Sequence, residues 1–263
     1  MSYLEAIILG LIQGLTEFLP ISSSGHLEIG KKLFSIKHQA YDSLLFTLVL
    51  HLGTALSTIF VFKKEIFEIL SSLLKLKIDY NTLFVLKIIV SMIPAVTIGI
   101  LFQQKIKILF SNNLILVGIM FLITAIVLYI AGGIKNKTKT VSFKNAFILG
   151  VIQAIAILPG ISRSGSTISL ALILGIDREK AAQFSFLMVL PVIFGSIFKI
   201  FLDIKKTSVD INYLPLCLGF FTAFVSGFFA CKWMVALVRK SKLKNFSYYC
   251  IFVGIISIFY GLL

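Results

Sequence analysis

Long runs without a charged residue divide the chain. Residues 44–62, 88–104, 114–134, 211–231 and 245–263 carry no Asp, Glu, Lys or Arg. Each is about long enough to cross a hydrocarbon core of roughly 30 Å at about 1.5 Å per residue. A sixth run, 184–198, is shorter but continues past Lys199 to Leu202, with that lysine snorkelling. The pattern predicts six full spans. Two further apolar stretches, 3–18 and 146–158, reach only roughly 24 and 20 Å as helices. Each is then broken by Pro, Ser and Gly: Pro20, Ile21, Ser22, Ser23, Ser24, Gly25 in the first and Pro159, Gly160, Ile161, Ser162, Arg163, Ser164, Gly165 in the second. Irregular backbone at membrane depth is tolerated only where protein or a wet cavity surrounds it, because a bare amide in lipid costs several kcal/mol. Both segments therefore read as re-entrant hairpins, in and out on one side, over residues 3–35 and 146–175.

The two hairpins resemble each other. Gly10, Leu11, Ile12, Gln13 recurs 140 residues on as Gly150, Val151, Ile152, Gln153, and Ser22, Ser24, Gly25 recurs as Ser162, Ser164, Gly165. The spans that follow echo too, Phe46 to Leu50 against Phe186 to Leu190. The expected fold is thus an all-α polytopic membrane protein built as an inverted-topology repeat, one re-entrant helical hairpin plus three transmembrane helices, twice. Residues 1–134 form the first repeat and 135–263 the second, within one integral membrane domain. Three spans (44–62, 83–102 and 114–134) separate the hairpins, and odd parity makes them enter from opposite faces.

Composition agrees and sets the orientation. The chain is 58% hydrophobic and 14% charged, with mean hydropathy +1.02, which excludes a soluble domain. The first basic residue is Lys31, so the start lacks the basic region of a signal peptide and reads as retained structure. A net charge of +14 comes from lysines scattered in short loops, where they set orientation and meet anionic headgroups; nucleic acid is excluded as a partner. Loops on the second hairpin's side hold 16 basic residues, from Lys63 to Lys244, against 8 on the other, from Lys31 to Lys206. Positive charge favours the inside, so the first hairpin and both termini are expected outside. Cys217, Cys231 and Cys250 lie in apolar runs without metal-like spacing and read as packing residues.

Few residues remain that do chemistry. Gln13 and Glu17 are four apart and share a helix face. His26 follows within the same turn region, and Arg163 is the only basic residue of the second turn. A charge at bilayer depth costs about 2.5–3.5 kcal/mol, so Glu17 needs a partner, a cation or water. A guanidinium is a planar fork suited to phosphate. The two tips are expected to meet near the midplane, with Arg163 close to Glu17 and His26. The structural alternatives are an ion pair that only joins the hairpins, and a histidine that only caps a helix. His38 and His51 are weaker candidates: His38 falls in a loop, and His51 opens the notch His51, Leu52, Gly53, Thr54, where packing or pore lining competes with catalysis.

Gln13, Gly14, Leu15, Thr16, Glu17, Phe18, Leu19, Pro20, Ile21, Ser22, Ser23, Ser24, Gly25, His26 together with Pro159 to Thr167 closely resembles the bacitracin-resistance type of undecaprenyl-diphosphate phosphatase. Length, the stretch Met92 to Ala95 and the stretch Phe184 to Phe186 also fit, so the resemblance covers essentially the whole chain. It implies removal of the terminal phosphate from a C55 polyprenyl diphosphate at the outer face of a bacterial plasma membrane. That reaction regenerates the lipid carrier for wall synthesis and gives bacitracin resistance. It implies Glu17, His26, Ser23 and Arg163 as catalytic residues. Glu17 would organise a divalent cation, Mg²⁺ first and Ca²⁺ second, His26 would be the acid or base, and Ser23 the nucleophile or its neighbour. Serine attack, histidine attack and metal-activated water stay open. Candidate substrate-binding residues are Gln13, Ser22, Ser24, Gly25, Ser162, Ser164, Gly165, Thr167 and Gln153. Gln13 stands where the family's motif admits Glu or Gln, leaving one carboxylate and a weaker case for a glutamate-pair metal site. Expected partners are undecaprenyl diphosphate and membrane lipids, with a homodimer left open.

Two rival readings differ in kind. Inverted repeats with broken helices are also transporter architecture, so a lipid flippase or small-solute transporter is the alternative. The acid phosphatase class with a similar Ser, Gly, His triplet needs a histidine soon after its motif arginine, and none follows Arg163.

Overall fold

A computed structural model describes residues 2–34, 40–75, 78–102, 113–204, 213–240 and 242–262. His38, the end of the first expected hairpin at residue 35 and several loop lysines lie outside the described residues. Among the described residues the regular structure is helix, with one isolated bridge between Lys139 and Ile176.

The helices are α1 (Tyr3–Phe18), α2 (Ser23–Leu33), α3 (Ala40–Val61), α4 (Lys63–Leu74), α5 (Tyr80–Leu101), α6 (Leu114–Gly132), α7 (Phe143–Ile155), α8 (Arg163–Ile173), α9 (Arg178–Leu187), α10 (Leu190–Ile204), α11 (Tyr213–Arg239) and α12 (Leu243–Leu262). Five stretches are long and apolar enough to cross a membrane: α5, α6, Arg178–Phe198 across α9 and α10, α11 and α12. A sixth arises if α3 and α4 count as one broken span, bent by 80°. Six expected spans therefore become these five and the bent pair.

The breaks have local causes. α3 ends where Phe62 gives way to Lys63, Lys64 and Glu65, and ammonium and carboxylate groups do not continue into hydrocarbon. α4 turns its Ile66 and Ile69 onto the core and leaves Phe67, Leu70 and Leu74 exposed, the pattern of a helix lying in a membrane interface. Between α9 and α10, Pro191 lacks the N–H that would bond the Leu187 carbonyl, so the helix restarts at Leu190. α11 runs past the expected end of its span to Arg239, carrying Lys232 over the Phe228 ring at 4.2 Å.

The short helices pack in crossed fashion. α1 lies along α11 and α7 along α5, while α3 also packs on α11, α10 on α5 and α6 on α12. Small residues permit the close approach: a Cβ on Gly10 would stand 2.6 Å from the Gly219 carbonyl oxygen, and one on Gly150 would collide with that of Ser91. Hydroxyls inside the helices bond back to their own chain, as Thr58 Oγ1 to Thr54 O at 3.1 Å and Ser226 Oγ to Thr222 O at 2.6 Å. Phe18, Phe121, Phe184, Phe186 and Met188 are fully buried around the point where the two tips meet.

Candidate active site

The first tip is a strained turn. After α1, Leu19 is extended and Ser22 adopts φ 65°, a left-handed conformation that ordinarily selects glycine. Serine stands there because its oxygen is used. Ser22 Oγ accepts the Gly25 N–H at 3.2 Å, capping α2, and donates to the Ile161 carbonyl of the other tip at 3.3 Å. The second tip answers in kind. Ser162 Oγ caps α8 by accepting the Gly165 N–H at 3.0 Å, and Ser164 Oγ donates to the Leu19 carbonyl at 3.2 Å. Thr124 on α6 locks the second turn from behind, donating to Gly160 O at 3.1 Å and accepting Ser162 N–H at 3.1 Å. Gly25 is glycine for room: a Cβ there would lie 2.6 Å from the Phe121 ring and 3.1 Å from Gly160 Cα. The two turns, 140 residues apart in sequence, thus satisfy each other's buried polar backbone.

This junction brings charge to one point. Ser23 and Arg163 are the first residues of α2 and α8, and both reach Glu17 at the end of α1. Glu17 Oε1 accepts from Arg163 Nη2, and Oε2 accepts from Ser23 Oγ at 2.6 Å and Gln13 Nε2 at 3.1 Å. Arg163 Nη1 donates to Ser185 O at 3.0 Å. Thr167, one turn along α8, donates to Arg163 O at 2.8 Å and shares a 2.6 Å hydrogen bond with Ser185 Oγ. Two helix N-termini with their partial positive charge therefore open beside a guanidinium, an arrangement that attracts an anion. The carboxylate is 8% exposed and accepts from three side chains.

The structure gathers Glu17, Arg163, Ser23 and Gln13 directly, with Ser22, Ser24, Gly25, Ser162, Ser164, Gly165 and Thr167 as the scaffold of the turns. The ring nitrogens of His26 bond other partners than Glu17. Its Nδ1 lies 2.7 Å from Ser22 O and its Nε2 2.8 Å from the Tyr249 hydroxyl, with Phe121 edge-on at 5.1 Å. The imidazole beside Glu17 belongs to His51 on α3, whose Nε2 is 3.7 Å from Oε2 and whose Nδ1 bonds Thr47 O at 2.7 Å. The notch His51 to Thr54 is the signal for it, although no local pattern couples it to Glu17. Ser185 and Tyr249 were missed because each reads as an ordinary member of an apolar run. Gln153, buried on α7, has no hydrogen-bond partner for either amide atom among the described residues and joins none of these contacts.

The donors also bear on a cation. Among the described residues no three or more His, Cys, Asp or Glu side chains cluster as a metal site. Gln13 Nε2 must face the carboxylate, which only accepts, and this leaves its Oε1 buried without a partner. One carboxylate, that amide oxygen and the Ser23 hydroxyl form a small all-oxygen set. It does not cage an ion, but it fits one that keeps its waters and shares phosphate oxygens, as Mg²⁺ does.

Comparison with known proteins agrees with the motifs. The family model described as bacitracin resistance protein BacA matches residues 6–256. A protein of Christiangramia forsetii named undecaprenyl-diphosphatase is 53% identical over 261 residues, covering 99% of both chains. Proteins of the same name from Bacteroides fragilis and Parabacteroides distasonis are 47% and 46% identical over 265 residues, covering 98% of each chain. The chain belongs to the BacA family of bacitracin resistance proteins.

Proposed function

We propose that this chain hydrolyses undecaprenyl diphosphate to undecaprenyl phosphate and inorganic phosphate, recycling the lipid carrier for cell-wall synthesis and so giving bacitracin resistance. The name shared by its full-length relatives supports this reading. The observation that carries it is the meeting of Glu17, Ser23 and Arg163 where two helix N-termini open, because phosphoryl transfer asks mainly for positioning and charge neutralisation.

Arg163 holds the terminal phosphate with the guanidinium donors that Glu17 and Ser185 leave free. Ser23 is the nucleophile. Its hydroxyl already donates to Glu17 Oε2 at 2.6 Å, so the carboxylate is in place to take the proton. As Oγ bonds to the terminal phosphorus, the bridging P–O bond breaks and undecaprenyl phosphate leaves; water then cleaves the phosphoserine. In that second step His26, three residues on along α2 and on the same face as Ser23, takes the proton of the attacking water, and Ser23 Oγ leaves with the proton that Glu17 holds. Gln13, Ser22, Ser24 and Gly25, with Ser162, Ser164, Gly165 and Thr167, form the cradle; Gln153 keeps its place only as the repeat partner of Gln13. A divalent cation, Mg²⁺ before Ca²⁺, held by Glu17 and the phosphates would neutralise charge on the phosphoryl oxygens.

The site is proposed to face outward in a bacterial plasma membrane, supported by the excess of basic residues in loops on the opposite side. The inverted repeat of 1–134 and 135–263, each with a re-entrant hairpin, is supported by the crossed packing. Exchange of the halves turns the α1–α11 contact into α7–α5, turns α3–α11 into α10–α5, and returns α6–α12 to itself. The test is phosphate release from undecaprenyl diphosphate by purified protein in detergent, for wild type, Glu17→Ala, His26→Ala and Arg163→Ala, with and without chelator. Release by wild type that each substitution abolishes supports the assignment. Lipid movement across vesicles without phosphate release points to a flippase instead, and unchanged release by Arg163→Ala rejects the phosphate fork.

A further inference from the structure

His26 is held at both ring nitrogens, and the two partners differ in chemistry. Ser22 O, 2.7 Å from Nδ1, is a carbonyl oxygen that only accepts, so Nδ1 carries the ring proton. The same oxygen takes the His26 backbone N–H at 3.2 Å. It is aimed by the left-handed φ of Ser22, so a strained turn fixes the ring's orientation. Nε2 is then the lone-pair nitrogen, and the Tyr249 hydroxyl at 2.8 Å donates to it. The Tyr249 ring lies parallel to the imidazole, with centroids 5.7 Å apart and planes at 10°.

Tyr249 comes from the last helix, 223 residues along the chain, and α12 is keyed in place around it. Ser247 Oγ donates to Ala125 O at 2.8 Å on α6, and the Cys250 thiol points at the Pro20 carbonyl of the first tip at 3.8 Å. Those contacts fix the height of α12 against the tip, and with it the position of the phenol.

We propose that Tyr249 is the positioning residue for His26. It donates to the lone pair that the Ser22 carbonyl leaves at Nε2, holds that atom, and makes Nε2 the nitrogen that exchanges a proton during phosphate release. The proposal rests on the reading above that His26 takes part in the reaction. A purely structural tyrosine would act through its ring, which Tyr249→Phe retains; a positioning tyrosine acts through the hydroxyl, which Tyr249→Phe removes.

The chain has three histidines, so ¹⁵N-histidine spectra of the whole protein in detergent are assignable with His→Gln variants. In Tyr249→Phe the Nε2 resonance of His26 is expected to shift from a hydrogen-bonded to a free lone pair, with the melting temperature unchanged. On undecaprenyl diphosphate, kcat is expected to fall about tenfold with KM within about twofold, as for one hydrogen bond acting in the transition state. In a His26→Gln background the same substitution is expected to cause no further loss. An unchanged His26 spectrum, a wild-type kcat in Tyr249→Phe, or a full tenfold further loss without His26 overturns the proposal. Wild-type protein that releases no phosphate sinks the reading of function instead, while the spectra still report the tyrosine–histidine bond.

Discussion

Glu17→Gln keeps the size of the side chain and removes one acceptor and the charge. The carboxylate receives three hydrogen bonds, from Arg163, Ser23 and Gln13. The amide has a single acceptor oxygen, which Arg163 takes. Gln13 turns to offer its unpartnered Oε1 to the new NH₂, so that contact survives. Reduction of the Arg163 contact from charge-assisted to ordinary strength costs about 1–2 kcal/mol, the difference between hydrogen bonds to charged groups and neutral ones. Fold and membrane insertion are therefore retained, with a modest fall in melting temperature. The chemistry suffers more. Ser23 is left facing an NH₂ group in place of its proton acceptor, and loss of a positioned base slows such reactions by about 10²–10⁴-fold. The assay is kcat for phosphate release in detergent, read beside a thermal melt of the same preparation. A variant that melts near wild type and keeps kcat within about threefold refutes Glu17 as the acceptor of the Ser23 proton.

Other perturbations follow from the same geometry. Gly25→Ala pushes a methyl into the Phe121 ring and towards Gly160, and this overpacking is expected to lower stability by about 1–3 kcal/mol and to lower activity with it, measured by denaturation in detergent. His51→Gln removes the imidazole 3.7 Å from Glu17 and is expected to lower kcat about tenfold, as for loss of one interaction worth about 1.4 kcal/mol; unchanged kcat would make His51 a packing residue. Asp177 caps α9 at the mouth of its span. Burial pushes its carboxyl up, but the amides of Lys180 and Glu179 and the Asn136 side chain outweigh that and hold it below its ordinary value of 3.8. A depressed folded value gives stability that is present above pH 3.8 and lost as pH falls through the folded value, so Asp177→Ala is expected to flatten the acid limb of a melting-temperature profile and to cost about 0.5–2 kcal/mol at neutral pH.

The membrane helices were legible because hydrocarbon imposes a length and forbids charge, both visible along the chain. The broken helices were legible for the same reason in reverse: Pro20, Ser22, Pro159 and Gly160 interrupt apolar stretches too short to cross. The break between α3 and α4 was harder, since the apolar run continues to Phe62 and only the charges after it redirect the helix. Glu17 and Arg163 stood out because a charge inside an apolar run needs a reason. His51 and Tyr249 did not, because their partners lie 34 and 223 residues away along the sequence and no periodicity encodes a contact between helices. Arg178, assigned to a loop by its charge, is buried and bonds the Ile134 carbonyl at 2.5 Å and the Val238 carbonyl at 3.4 Å, a clasp across two helix ends visible only once those ends are adjacent.

The account turns on two hairpin tips acting as one catalytic unit. A double-mutant cycle on phosphate release, with Glu17→Gln, Arg163→Lys and the double variant, measures that directly. If the residues work as a unit, the double variant falls little below the worse single variant. If the two losses multiply in full, Glu17 and Arg163 act independently and the claim of one site shared by both tips is contradicted.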